Sequence, residues 1–454
     1  MRAGPQFTLP EMNAKLRARA LAVGGDLACV ASLLGVALAC LWPTLATFGQ
    51  KLVGDLDKHP IDASWLYLLV SRMLLERFPP NTTSPWFNDP QPIDVLAEYA
   101  DIGNPALAAI LVRFLGPVLA YNTMQVFLAT WSGVATFALG RVLRMSRPAA
   151  LAGGVFAVVM EPLWFAIRWG EDDVATMGWL VAVIAVGFAV TDRLRLGVFA
   201  GGLLVGSAWG LVGWFNSYYL LFLGFALPMV LVADLRRPLR ECALRAGGVA
   251  LGLGLVWGPR VPLGFRSGRV GDFHDGANWI RSFSELTSPP ADFPVSSCLD
   301  LVSLLWFDSE VRIAKAFNGQ GEGCLYAGIG FCLLALVGLA RGDIAGRRRL
   351  GALACFFGVM SLGPWLRDGD VLARLGEGGG IPMPAGLLGL VFSPLRRLDH
   401  AFRFVIVAFL VLAPLAGAGA AYIAGRVSRR VPVRGLLVVA MVVAASWERV
   451  IATP

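Results

Sequence analysis

The chain has 454 residues, 56% of them hydrophobic and only 15% charged. Soluble globular domains carry about 25% charged residues, so this balance excludes an ordinary water-soluble fold and points to a membrane protein. The net charge of +8 reads as loops facing anionic lipid and cytoplasm, and no nucleic-acid partner is expected.

Residues 1–26 are polar and basic, and the first apolar stretch, 27–48, follows them as a signal anchor. A membrane-crossing helix needs about 20 mostly apolar residues. Ten more stretches approach that length: 120–140, 149–167, 174–191, 196–214, 215–233, 242–259, 324–340, 350–366, 401–424 and 433–450. The expected fold is therefore all-α and polytopic, a single transmembrane domain over residues 1–454 with about 11 membrane helices. With the N-terminus inside, the inner segments hold 21 Lys and Arg against six acidic residues, as the positive-inside rule predicts.

This topology places three long loops outside: 49–119, 260–323 and 367–400. The first holds an interfacial helix over "DASWLYLLVSRMLLERF" (62–78), a Pro-rich turn (79–92) and a short apolar piece (104–118) that dips into the membrane without crossing. The third carries "GEGGGIPMP" (376–384), a lid-like stretch, then "SPLRRLDHAFRF" (393–404). Inner loops are short, so chemistry is expected on the outer face.

Of the seven cysteines, Cys29, Cys40, Cys242, Cys332 and Cys355 fall in apolar stretches and read as packing residues. Cys298 and Cys324 lie in or beside an outer loop, either paired in an oxidising compartment or simply unpaired. No zinc spacing, P-loop, GxSxG elbow or HExxH motif occurs.

Three polar groupings stand out. "GDLDKHPID" (54–62) puts Asp55, Asp57, Asp62 and His59 directly after the first apolar stretch. Carboxylates at a membrane boundary lose hydration, so Asp55 or Asp57 reads as a general base aimed into an outer cavity, or else as a solvated helix end. "RWGEDDVAT" (168–176) places Glu171, Asp172 and Asp173 side by side in a short connector. Adjacent like charges repel unless a cation is near. A divalent metal, Mg or Mn, on Asp57, Asp172 and Asp173 would supply one; Arg168 is the alternative. Glu161, before Pro162, either faces a cavity or marks a kink. In "SPLRRLDHAFRF", Arg396, His400 and Arg403 recur at i, i+4 and i+7 on one helical face, with Arg397 beside them. Arg binds phosphate oxygens in pairs, so this segment reads as a phosphate-lipid site or as headgroup anchoring.

The layout resembles the GT-C superfamily of polytopic glycosyltransferases, including oligosaccharyltransferase, protein-mannosyltransferase and YfhO-like members. The shared pattern is a cytoplasmic N-terminus, an acidic motif just after the first span, interfacial helices in that loop, and a second acidic motif after the third span. The resemblance implies that Asp55 or Asp57 activates the acceptor and that Glu171, Asp172 or Asp173 carries the second acidic role. It implies a polyprenyl-phosphate sugar donor held by Arg397, His400 and Arg403, with His59, Arg168 and Arg396 as further substrate contacts. The implied setting is the outer face of a bacterial cytoplasmic membrane, with membrane lipid as partner. The alternatives are a lipid-linked-sugar flippase and an inactive partner subunit of the same architecture.

Overall fold

The computed structural model describes residues 9–54, 60–75, 81–82, 93–94, 102–232, 237–260, 328–368, 371–375, 379–392, 395 and 403–452. It is an all-α molecule: α1 (Leu9–Cys40), α2 (Trp42–Leu45), α3 (Pro60–Leu75), α4 (Gly103–Leu115), α5 (Pro117–Val142), α6 (Arg147–Val158), α7 (Glu161–Trp169), α8 (Asp172–Ala175), α9 (Met177–Asp192), α10 (Val198–Val212), α11 (Ser217–Leu231), α12 (Leu239–Trp257), α13 (Ile329–Arg341), α14 (Arg347–Ser361), α15 (Pro384–Val391), α16 (Phe404–Val427) and α17 (Val431–Ala452). The described strands form three two-residue antiparallel pairs.

Each of the eleven anticipated apolar stretches overlaps one of these helices. Among the described residues, five helical stretches are long and apolar enough to cross a membrane: Val23–Cys40, Arg147–Trp169, Asp172–Asp192, Leu239–Arg260 and Phe404–Val427. Of the others, α10, α11 and α13 have 15, 15 and 13 residues, whereas α5 has 26. The 149–167 stretch is broken at Val159 and Met160, where Met160 is extended and Pro162 opens a new helix. Proline has no N–H and its ring crowds the turn behind it, so it sits most easily in a first turn and bends or breaks a helix elsewhere. The Trp164 indole donates to the Val158 carbonyl (2.7 Å) across the break. Glu161 is therefore the first residue of α7, half-buried, at a kink.

The core is built around α16, whose residues are almost all buried. Its Ala and Gly side let α6 and α13 approach at backbone distance: a Cβ on Gly417 would collide with the Ala149 carbonyl, and one on Gly419 with the Leu334 carbonyl. The α10–α12 pair packs in the same way. Gly202 and Gly206 face the Arg245 and Val249 carbonyls, and Gly248 and Gly252 answer against Phe199 and Leu203. Lipid is as apolar as leucine, so such helices gain from close packing more than from burial, and four-residue glycine spacing provides it.

Two ends of the bundle differ in charge. At one, Arg147 bonds Asp26 (2.7 Å), Arg349 bonds Asp192 and the Val230 carbonyl, and Arg193 bonds the Val142 carbonyl (2.9 Å). At the other lie Glu171, Asp172 and Asp173. The 16 residues of α9 separate them, about 24 Å at 1.5 Å per residue.

Two loop expectations change. The first-loop helix begins at Pro60 and is described to Leu75. Within the stretch anticipated as lid-like, residues 379–383 are paired to 364–375: Gly379 and Gly380 face Leu375 and Arg374, Ile381 accepts from Leu366, and Met383 donates to Pro364. Trp365 is fully buried beneath this turn. Cys40 and Cys355 are exposed on their helices, so the packing role expected of them holds only for the buried Cys29 among the three. Cys298 and Cys324 lie outside the described residues.

Candidate functional site

The acidic connector is built from the end of one helix and the start of the next. Gly170 closes α7 with φ +74°, a left-handed conformation that favours glycine, and the four-residue α8 begins at Asp172. A helix this short leaves its carbonyls without helical partners. Buried, they must be satisfied by something else. Side chains from two other elements, α4 and the start of α11, do it. Asn104 of α4 donates to the Asp172 carbonyl (2.7 Å), Asn216 donates to the Asp173 carbonyl (2.9 Å), and the Tyr219 hydroxyl donates to the Val174 carbonyl. Thr176 closes back onto the Asp173 carbonyl.

The three carboxyls have different surroundings. Glu171 accepts from Arg403 at 3.0 Å in an ion pair with side chains only 14% and 10% exposed. Arg403 also lies over the Tyr218 ring, 5.4 Å from its centre. Asp172 is buried and accepts from the Tyr67 hydroxyl (2.7 Å). Burial and the nearby Asp172 carboxyl push the Tyr67 phenol above its ordinary range, so it remains the donor. Asp173 is half-buried and its carboxyl lies 3.3 Å from the Asn216 amide.

These contacts revise the reading of the connector. It is not a solvated tip, since Asp172 is buried and Glu171 nearly so. The cation that meets it is Arg403, from 232 residues further along the chain, where a metal or Arg168 was anticipated. Arg168 is exposed. Of the anticipated metal set Asp57, Asp172 and Asp173, the two described carboxyls face Tyr67 and Asn216. Among the described residues, no group of three His, Cys, Asp or Glu side chains forms a metal-ligand cluster. Asp57, the third member of that set, lies outside the described residues.

The first loop reaches the same place. Gly54 has φ +120°, and a Cβ there would stand 2.8 Å from both the Arg168 carbonyl and the Pro60 ring. Only glycine fits, in conformation and in space. The segment leading to it is held by Asn122 of α5, fully buried, which donates to the Phe48 (2.6 Å) and Lys51 (2.7 Å) carbonyls and accepts from the Val53 amide (2.8 Å). Asp55, Asp57 and His59, which follow Gly54, lie outside the described residues, as do Arg396, Arg397 and His400.

The structure thus joins three distant sequence regions: Gly54, the 168–173 connector and Arg403. The residues that join them, Tyr67, Asn104, Asn122, Asn216 and Tyr219, carry no motif. The one signal available is polarity inside an apolar run, where a side chain must find a partner. Asn122 and Gln125 in α5 show it; the Tyr121 hydroxyl and both Gln125 amide atoms are buried without a protein hydrogen bond among the described residues.

The fold and these contacts define a helical membrane protein with a buried polar junction at one end of its bundle. Compared with protein-family models and with curated protein sequences, the chain matches none.

Proposed function

We propose that this chain is a membrane glycosyltransferase of the GT-C type, transferring a sugar from a polyprenyl-phosphate donor to a hydroxyl of a lipid, glycan or protein. The observation that carries the reading is the meeting of the first-loop edge at Gly54, the Glu171–Asp173 connector and Arg403 at one end of the bundle. The proposal includes eleven spans and a cytoplasmic N-terminus, with that junction on the outer face of a bacterial cytoplasmic membrane. The 21 inner basic residues and the arginine-rich opposite end of the helices support this orientation.

In the reaction, the acceptor oxygen forms a bond to the anomeric carbon as the bond from that carbon to the phosphate oxygen breaks. The electron pair leaves with the phosphate. Asp55, with Asp57 beside it in sequence, takes the acceptor proton. Arg397, His400 and Arg403 stabilise the charge gathering on the leaving phosphate. Glu171 holds Arg403 in place, and Asp173 lines the same junction.

The test is sugar transfer in membranes from a labelled polyprenyl-phosphate donor, with protein level followed in parallel. Asp55→Asn keeps size and removes basicity, and removing a positioned general base lowers the rate by about 100- to 10,000-fold. Wild-type rates in both Asp55→Asn and Asp57→Asn would show the mechanism to be wrong.

A further inference from the structure

Helices α3 and α4 belong to the first loop and have a small core of their own. Ala63 and Tyr67 of α3 meet Ala108 and Val112 of α4 and Ala120, Tyr121 and Met124 of α5, separately from the main core. Ser71 donates to the Ala109 carbonyl (3.0 Å), tying α3 to α4. Where lipid competes for apolar surface, burial alone adds little to a helix pair, and polar contacts fix where it sits.

Two of those contacts fall on one residue. The Tyr67 hydroxyl of α3 reaches the Asp172 carboxyl at 2.7 Å, and the Asn104 amide of α4 reaches the Asp172 carbonyl at 2.7 Å. Tyr67 is fully buried and Asn104 nearly so, so neither donor has solvent as an alternative partner. Tyr67 lies seven residues after Pro60, two turns or about 10 Å along α3. Pro60 itself sits beside Gly54, which also faces the Arg168 carbonyl. One residue of the connector therefore fastens both loop helices, two turns from where α3 starts.

We propose that Asp172 is a positioning residue: through Tyr67 and Asn104 it clasps the two first-loop helices to the connector that carries Glu171 and Asp173. The clasp holds the start of α3 in register with the end of α7. What that register serves, the placing of the acceptor side against the donor side, rests on the function proposed above; the clasp itself does not.

Hydrogen exchange of the full-length protein in lipid nanodiscs tests it without any substrate. Tyr67→Phe keeps the ring and removes the donor. Amides of residues 60–75 and 103–115 are expected to exchange about tenfold faster, the factor that losing one buried hydrogen bond implies, while those of α9 stay at the wild-type rate. Asp172→Leu, whose side chain no longer accepts from Tyr67 while the carbonyl still accepts from Asn104, is expected to do the same. Asp172→Asn, whose amide oxygen still accepts from Tyr67, is expected to keep slow exchange. Unchanged exchange in both Tyr67→Phe and Asp172→Leu overturns the clasp. So does equal acceleration in α9, which marks general loosening, and so does Asp172→Asn behaving like Asp172→Leu. In the transfer assay, Tyr67→Phe is expected to lower kcat with KM for the donor unchanged. Faster exchange with unchanged kcat leaves the clasp standing and removes its part in the reaction.

Discussion

The two ends of the bundle are both tied by ion pairs, but at different depths. At the arginine-rich end, Arg147 and Asp26 pair at 2.7 Å with side chains 37% and 43% exposed. At the acidic end, Arg403 and Glu171 pair at 3.0 Å with side chains 10% and 14% exposed. The first pair keeps water as an alternative partner. The second has given most of it up, and its neighbours are arranged accordingly: Asn104, Asn216 and Tyr219 take the connector carbonyls one after another. Contacts at the basic end also hold the fold, as where Arg193 caps the last turn of α5. With the Arg349–Asp192 pair between them at 18% and 26% exposed, the difference teaches that ion pairs in one membrane protein grade by depth from surface tie to buried junction.

The largest effect should follow from breaking the deep pair. Arg403→Ala leaves Glu171 buried without that guanidinium, a loss of about 3–5 kcal/mol, read as a lower unfolding temperature in detergent. Replacing both partners, Arg403→Met with Glu171→Leu, should recover most of it. If Arg403→Ala unfolds like the wild type, the acidic end is no deeper than the basic one.

A smaller loss is expected at the next layer. Asn216 accepts from the Tyr219 amide (3.1 Å), capping α11, and donates to Asp173. Asn216→Ala should cost about 1–2 kcal/mol in the same measurement. Asn216→Asp should restore the cap but not the bond to the Asp173 carbonyl, and so should recover only part.

The smallest belongs to the shallow pair. Asp26→Asn should shift stability by about 0–1 kcal/mol, and added salt should erase what difference there is. A salt-insensitive loss as large as that of Arg403→Ala would abolish the contrast between the two ends.

Much of this was legible along the chain. Apolar stretches marked the helices because a membrane admits backbone only when its hydrogen bonds are closed internally. Pro162 offered a kink before α7 as one of two readings, since proline removes a helical hydrogen bond. The three adjacent acids of 171–173 announced a missing counter-charge, since such a cluster needs one. Helix ends were less legible: α3 starts at Pro60, two residues before the anticipated boundary, and α1 extends back to Leu9.

The identity of the counter-charge was not legible. Arg168 is nearest in sequence, yet Arg403 fills the place, because α16 is buried along nearly its whole length and brings its first turn to the connector. Nor was Tyr67 marked as the partner of the Asp172 carboxyl, or Asn104, Asn122 and Asn216 as partners of particular carbonyls. The sequence by itself determined a greasy, helical chain with acids on one side and arginines on the other, because composition and spacing are local properties. Which arginine meets which acid, and which side chain closes each buried carbonyl, was decided only by the packing of helices far apart in the chain, because a buried polar group is satisfied by whatever the fold brings within 3 Å.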